Sequence, residues 1–246
     1  ETAEMVFRAH GDPRKAMALE AGQVDEIIGR GDAGGDIRRA AAADLGRPYG
    51  ECTLIVAHLG GGTSVGIHVN GRVVDVNNAL DGDGPFAPER SGGLPAGQLI
   101  SLALKYRDRE KELRKKIVGR GGMVAYLETN DLQAALERMK NGDSRAGEVV
   151  RAMAYQVAKE IGREAAALGG DFQAILITGG IAHSEQFIND LKATVQAGAN
   201  LPNSRLAVRG SRVNEGRYAF LNHLVHIDSC RGAAVVQDDA LRRYFL

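Results

Sequence analysis

Cysteine is almost absent from this sequence: Cys52 and Cys230 are the only two, and they have no CxxC or zinc-ligand spacing. That usage points to a reducing compartment. Net charge is absent too, because 31 basic and 31 acidic residues cancel. With no strongly basic run, nucleic acid is not an expected partner. No apolar run is long enough to span a bilayer and no leader pattern opens the chain, so the expectation is a cytoplasmic protein with no membrane partner. Repeats and low-complexity tracts are missing as well. What remains is 246 residues with 44% hydrophobic content, enough for a proper core in one large domain or two small ones. The first residue is Glu1 rather than Met, which leaves processing, truncation or partial coverage open.

Strand and helix patterns alternate along the chain, which makes the class α/β. CTLIVAHL (52–59), SVGIHV (64–69) and RVVDV (72–76) are short apolar runs, and Asn70-Gly71 between the last two is a strong hairpin signal. Helices are expected over 96–106, 131–140 and 144–168. In the last, Val149, Val150, Met153, Ala154, Val157, Ile161, Ala165 and Leu168 recur at three- and four-residue spacing, with Asp143 or Ser144 to cap the start and Gly169-Gly170 to end it. QAILIT (173–178) reads as a buried strand, followed by Gly179-Gly180 and a helix capped near His183 or Ser184.

Two glycine turns stand at strand ends. After the first apolar run come Gly60, Gly61 and Gly62, then Thr63 and Ser64. Phosphates need backbone N–H groups at close range, and glycine removes the Cβ that would block them. The two hydroxyls could reach a phosphate oxygen or a bound Mg²⁺. By itself the triple glycine fits a ligand-free turn equally well. The second turn, ITGGIAHSE, sets Gly179-Gly180 between a buried strand and a helix start, a position that favours an anion or a stacked nucleotide. A third element, DGDGPFAPERSGG (81–93), is rich in Gly and Pro yet carries Asp81, Asp83, Glu89 and Arg90. It reads as an ordered charged loop, with Arg90 either solvated or poised beside a phosphoryl group. His58 is likewise either a strand-end histidine bonded to backbone or a donor to that group.

From these residues the chain resembles the butyrate kinases. HLGGGTSVGIHVNGRVVDVNNALDGDGPFAPERSGGLP is similar to their signature region, and IVGRGGMVAYLETND, AMAYQVAKEIG and ILITGGIAHSE resemble later segments in the same order, from about Arg38 to Lys192. These kinases belong to the acetokinases, within the sugar kinase and actin superfamily. The resemblance implies two RNase H-like α/β domains, each a mixed sheet flanked by helices, that close on ATP. It implies reversible phosphorylation of a short-chain carboxylate to an acyl phosphate, using ATP or ADP with Mg²⁺, in a homo-oligomer. Carried over, it makes His58 to Ser64 the phosphate loop and Gly179, Gly180, Ile181, Ala182 and His183 the adenosine loop. Arg90 becomes a catalytic arginine, Arg30 in the GRGG-like VDEIIGRGD a second, and Glu215 in VNEGRYAF a carboxylate near the metal.

The sequence also departs from that pattern. The family opens with a strand and a first phosphate loop resembling NPGSTSTK, which has no counterpart here. Only AGGDI separates the GRGG-like turn from RRAAAADLG, where the family carries an Asp and a His. Residues 1–37 are therefore expected to be a remnant of the first domain and 38–246 the nucleotide-binding domain. Three functional expectations follow: a carboxylate kinase, a nucleotide-binding pseudoenzyme, or one part of a longer butyrate kinase.

Overall fold

A computed structural model describes residues 45–198, with residues 38, 39, 42 and 43 before them and the backbone of two strands, 205–208 and 224–226, beyond. Strands β1 (Thr53–Leu59), β2 (Thr63–Val69) and β3 (Arg72–Val76) form an antiparallel meander. Asn70 and Gly71 turn the β2–β3 hairpin with φ of 51° and 77°, the double positive φ of a type I′ turn. Helices follow over Ala96–Lys105 (α1), Glu110–Ile117 (α2), Gly122–Leu127 (α3), Leu132–Lys140 (α4) and Ser144–Ala167 (α5). The chain then re-enters the sheet as β4 (Ala174–Thr178), runs on as α6 (Glu185–Gly198), and adds β5 (Arg205–Val208) and β6 (Leu224–His226). The strand order is β3-β2-β1-β4-β5-β6, with β4 parallel to both β1 and β5. This is the mixed sheet of an RNase H-like domain.

The alternation of β1 decides where the layers go. Ile55, Ala57 and Leu59 point to one face and pack with Ile175 and Ile177 of β4 and with the apolar stripes of α5 and α6. Val150, Met153 and Ile161 of α5 and Phe187 and Leu191 of α6 are each no more than 1% exposed. Leu54 and Val56 point to the other face, where they meet Leu176, Ala42, Leu45 and Tyr49 in a smaller cluster. Asp143 caps α5 by accepting from Ala146 N at 3.0 Å, and Gly169 and Gly170, both at positive φ, end it.

The loop after β3 is pinned rather than loose. Asn77, 3% exposed, accepts from Val65 N at 2.6 Å and donates to the Thr63 and Asp83 carbonyls, so its side chain extends the hairpin ladder beyond β3. Phe86 N donates to Gln156 Oε1 of α5 at 2.9 Å. Ser91 N and Met123 N donate to the Ile117 and Ala87 carbonyls. Gly122, at φ +57°, lies where any Cβ would strike the Ala87 and Arg90 carbonyls. The 81–93 segment is therefore an ordered loop, bolted to the start of α3.

Candidate functional site

The parallel register joins the two glycine turns. His58 of β1 stands opposite Thr178 of β4, so Leu59 and Gly179 leave the sheet side by side. Gly179 has φ +91°, and a Cβ on it would lie 2.8 Å from the Leu59 carbonyl carbon. Only glycine permits that approach. Gly180–His183 then form one 3₁₀ turn, and Ser184, whose Oγ accepts from Phe187 N at 3.4 Å, opens α6. The helix thus starts at the cap position that the sequence pattern implies.

Both turns face one cleft of about 420 Å³. Gly60 and Gly61 line one side, Gly180, Ile181 and His183 another, and Pro88, Glu89 and the Asn130–Gln133 start of α4 the rest. A second hollow of about 420 Å³ shares Gln133, His183 and Ser184 and continues past Lys140, Gln186 and Asn189. Ligand sites in open α/β sheets lie in this position, outside the carboxyl ends of parallel strands.

The charged loop docks on the glycine loop. Glu89 N donates to Gly61 O at 2.9 Å, and Gly62 abuts the Arg90 side chain, with 3.5 Å between its would-be Cβ and Arg90 Cγ. Glu89 accepts from Asn130 Nδ2 at 2.6 Å and pairs with Arg90 Nη1 at 3.4 Å. Arg90 Nε is buried without a hydrogen-bond partner in the described structure. An orphaned guanidinium donor beside amide-rich backbone is a ready binding site for an anion, which would accept from it.

The other anticipated residues divide. His58 and Ser64 face each other across β1 and β2, on the face of the sheet opposite the α5 layer. Gly60 stands next to the His58 ring, its would-be Cβ 3.5 Å from Nε2. His58 is exposed as a residue, yet the protein around its ring disfavours the charged form and lowers its pKa below the ordinary histidine value. It is therefore a neutral donor or acceptor near pH 7. Thr63 is 2% exposed and pairs with Leu59 on the core face, so of the two hydroxyls only Ser64 shares the face of His58. Ala182 and Ile181, each 8% exposed, belong to the core, and Ile181 also lines the cleft with His183. Arg30 and Glu215 lie outside the described residues, as does Cys230.

Glu89, Asn130 and Asp131 are among the cleft residues to which sequence reasoning gave no site role. Asn130-Asp131 has a readable signal as a helix start: Asp131 caps α4 by accepting from Gln133 N at 2.8 Å. The pairing of Asn130 with Glu89, 41 residues apart, has none. Among the described residues no group of three His, Cys, Asp or Glu is placed to hold a metal ion. A magnesium ion here would have to share its ligands with a bound phosphate, for which Glu89 offers a half-open carboxylate.

A profile of the Acetokinase family matches residues 35–212, well over half of the chain. The chain belongs to the acetokinase family. Among acetokinase relatives, a probable butyrate kinase of Clostridium botulinum is 50% identical over 153 residues, which is 62% of this chain and 43% of that protein. Butyrate kinase 1 of Clostridium acetobutylicum is 46% identical over 160 residues, 65% of this chain and 45% of that protein. The matched stretch thus spans less than half the length of these curated acetokinases. Two solved structures share the fold. The Porphyromonas gingivalis acetate kinase superposes with a TM-score of 0.58 at 23% identity, covering 67% of this chain and 42% of that one. The Francisella tularensis propionate kinase gives 0.59 at 22%, covering 67% and 44%. These likenesses identify an acetokinase domain with an actin-like ATPase fold.

Proposed function

We propose that residues 38–246 are the nucleotide-binding domain of a carboxylate kinase, that residues 1–37 are the remnant of its first domain, and that the longer protein transfers the γ-phosphoryl of ATP to butyrate or a branched homologue. The observation that supports this most is the pair of glycine turns at neighbouring parallel strand ends, opening on one cleft. In this reading Gly60, Gly61 and Gly62 receive the phosphates on their amides. Gly180, Ile181 and His183 border the nucleoside. Ser64 and His58 flank the loop on the sheet face away from α5.

The reaction brings two anions together, so the site must offset their repulsion and hold them in line. A carboxylate oxygen attacks the γ-phosphorus, the bond to the β,γ-bridging oxygen breaks, and ADP leaves with that electron pair. No proton has to move and no covalent enzyme intermediate is needed. Arg90, with its unpartnered Nε, takes the transferring phosphoryl. His58, neutral near pH 7, donates a hydrogen bond to it. Mg²⁺ bound with the nucleotide would supply screening of the phosphate charge, with Glu89 the carboxylate among the described residues that would hold it. Arg30, for the carboxylate or the same phosphoryl, and Glu215, for the metal, are assigned by family resemblance alone, and homo-oligomeric assembly and a cytoplasmic location belong to the same proposal.

A second reading has its own support: with less than half of the relatives' length matched, the 246-residue chain binds nucleotide without turning it over. Titration calorimetry of the chain with Mg-ADP tests what both readings share. Weak, saturable heat and a thermal shift at millimolar nucleotide are expected. Neither signal at that concentration would overturn the nucleotide assignment.

A further inference from the structure

We propose that Glu89 makes this cleft selective for the metal complex of the nucleotide over the free polyphosphate anion. The inference rests on the nucleotide reading above and adds a specificity-determining residue to it.

The geometry around Glu89 is unusual for a phosphate site. Its carboxylate lies against the amide-presenting glycine: a Cβ on Gly61 would lie 3.2 Å from Glu89 Oε2. The backbone fixes it there, since Glu89 N donates to Gly61 O at 2.9 Å and Glu89 O accepts from Gly119 N at 2.7 Å. Asn130 Nδ2, 2.6 Å from Oε1, holds the carboxylate toward the cleft without neutralising it. Arg90 offsets the charge only weakly, at 3.4 Å, and the Glu89 side chain is 33% exposed.

Beyond Arg90 and the glycine amides, the lining adds no compensating charge. Asp131 contributes a second carboxylate, and no lysine or arginine is among the described residues lining this cleft. Lys140 lines only the adjoining hollow. A bare di- or triphosphate entering here meets like charge at short range, with the low-dielectric walls of a cleft to strengthen the repulsion. A divalent cation on the phosphates reverses the sign. Magnesium is held in such sites by one or two carboxylates together with phosphate oxygens and retained waters. Glu89 is placed to serve as that carboxylate, directly or through a water.

The experiment is calorimetry on the 246-residue chain with Mg-ADP and with ADP in EDTA, using thermal melts to confirm folding of each variant. The wild-type chain is expected to favour Mg-ADP by about tenfold or more. Glu89→Gln keeps the Asn130 acceptor and the backbone bonds while removing the charge. It should tighten metal-free ADP and bring the ratio within about threefold. Glu89→Asp and Asn130→Ala retain the carboxylate charge and should retain most of the preference. A folded Glu89→Gln that keeps the full preference would overturn the proposal while leaving the nucleotide reading intact. Equal wild-type binding of both forms would overturn it without recourse to any variant. No binding of either form would sink both.

Discussion

At Gly179 a single residue decides whether the two halves of the cleft meet. Its φ of +91° and the approach of the Leu59 backbone leave no room for a side chain, and both features arise because β4 runs parallel to β1 in that register. Gly179→Ala should cost about 2 kcal/mol or more, combining left-handed strain with a backbone clash. Urea unfolding would register this as a lower midpoint, whereas Gly180, with open space where its Cβ would be, should accept alanine with no comparable loss. The sequence made the need for glycine legible at 60–62 and 179–180, because phosphate cradling and tight turns require that residue type. It could not separate Gly179 from Gly180, since the distinction lies in a contact with Leu59, 120 positions away. Nor could it show that Thr63 turns into the core while Ser64 shares the face of His58, because that depends on where β2 begins. Glu89 stood in plain view in ERSGG, but its meaning comes from Gly61 and Asn130, which only the fold brings to it.

Among the elements, α5 was legible almost residue for residue, because its apolar stripe, its Asp143 cap and its terminal glycines all agree. Helices α2 and α3 were not. EKELRKKI offers only Leu113 and Ile117 as an apolar edge, too short a pattern to stand out, and α3 is held by the loop that docks on it. The same α5 carries a feature that hydrophobic periodicity hides: Glu160 and Glu164, 9% and 1% exposed, flank Arg163 on a face that also sees Asp75. Arg163 Nη2 lies 3.0 Å from Glu164 Oε1 and 2.5 Å from Glu160 Oε1, the latter a charge contact outside hydrogen-bond alignment. Burial raises both carboxyl pKa values, and Arg163 only partly opposes it. A carboxyl whose folded pKa is raised binds more protons folded than unfolded. Its contribution is complete below the ordinary carboxylate range and is lost as pH rises through the raised values. Urea midpoints should therefore fall by this contribution as pH rises above the ordinary carboxylate range, and Glu164→Gln should flatten the fall. His58, with its lowered pKa, works in the opposite direction and is common to both proteins, so their difference isolates the carboxyl. An unchanged slope in the variant would mean that Glu164 is not held protonated by its surroundings.

For the whole molecule, the decisive fact is that the match covers 43–45% of the curated butyrate kinases. A cleft lined by two glycine turns can hold a nucleotide, but in-line transfer needs groups on both sides of the phosphoryl, and losing one such group costs about a hundredfold or more. The 246-residue chain is thus expected to give negligible butyrate-dependent acyl phosphate, trapped as the hydroxamate. A longer protein that restores an NPGSTSTK-like opening segment should be active, and there Arg90 can be judged. Its Nε has no partner and its Nη1 only a 3.4 Å contact to Glu89, so little holds the guanidinium until a developing charge appears beside it. A contact that tightens chiefly in the transition state lowers kcat when it is removed and leaves ground-state binding nearly unchanged. Arg90→Ala in the long form should therefore reduce kcat by about a hundredfold or more, with KM for ATP changed by less than about threefold. The reverse split, a large rise in KM with kcat preserved, would reassign Arg90 to nucleotide binding. Robust hydroxamate formation by the short chain would show that the site needs fewer segments than the family pattern implies.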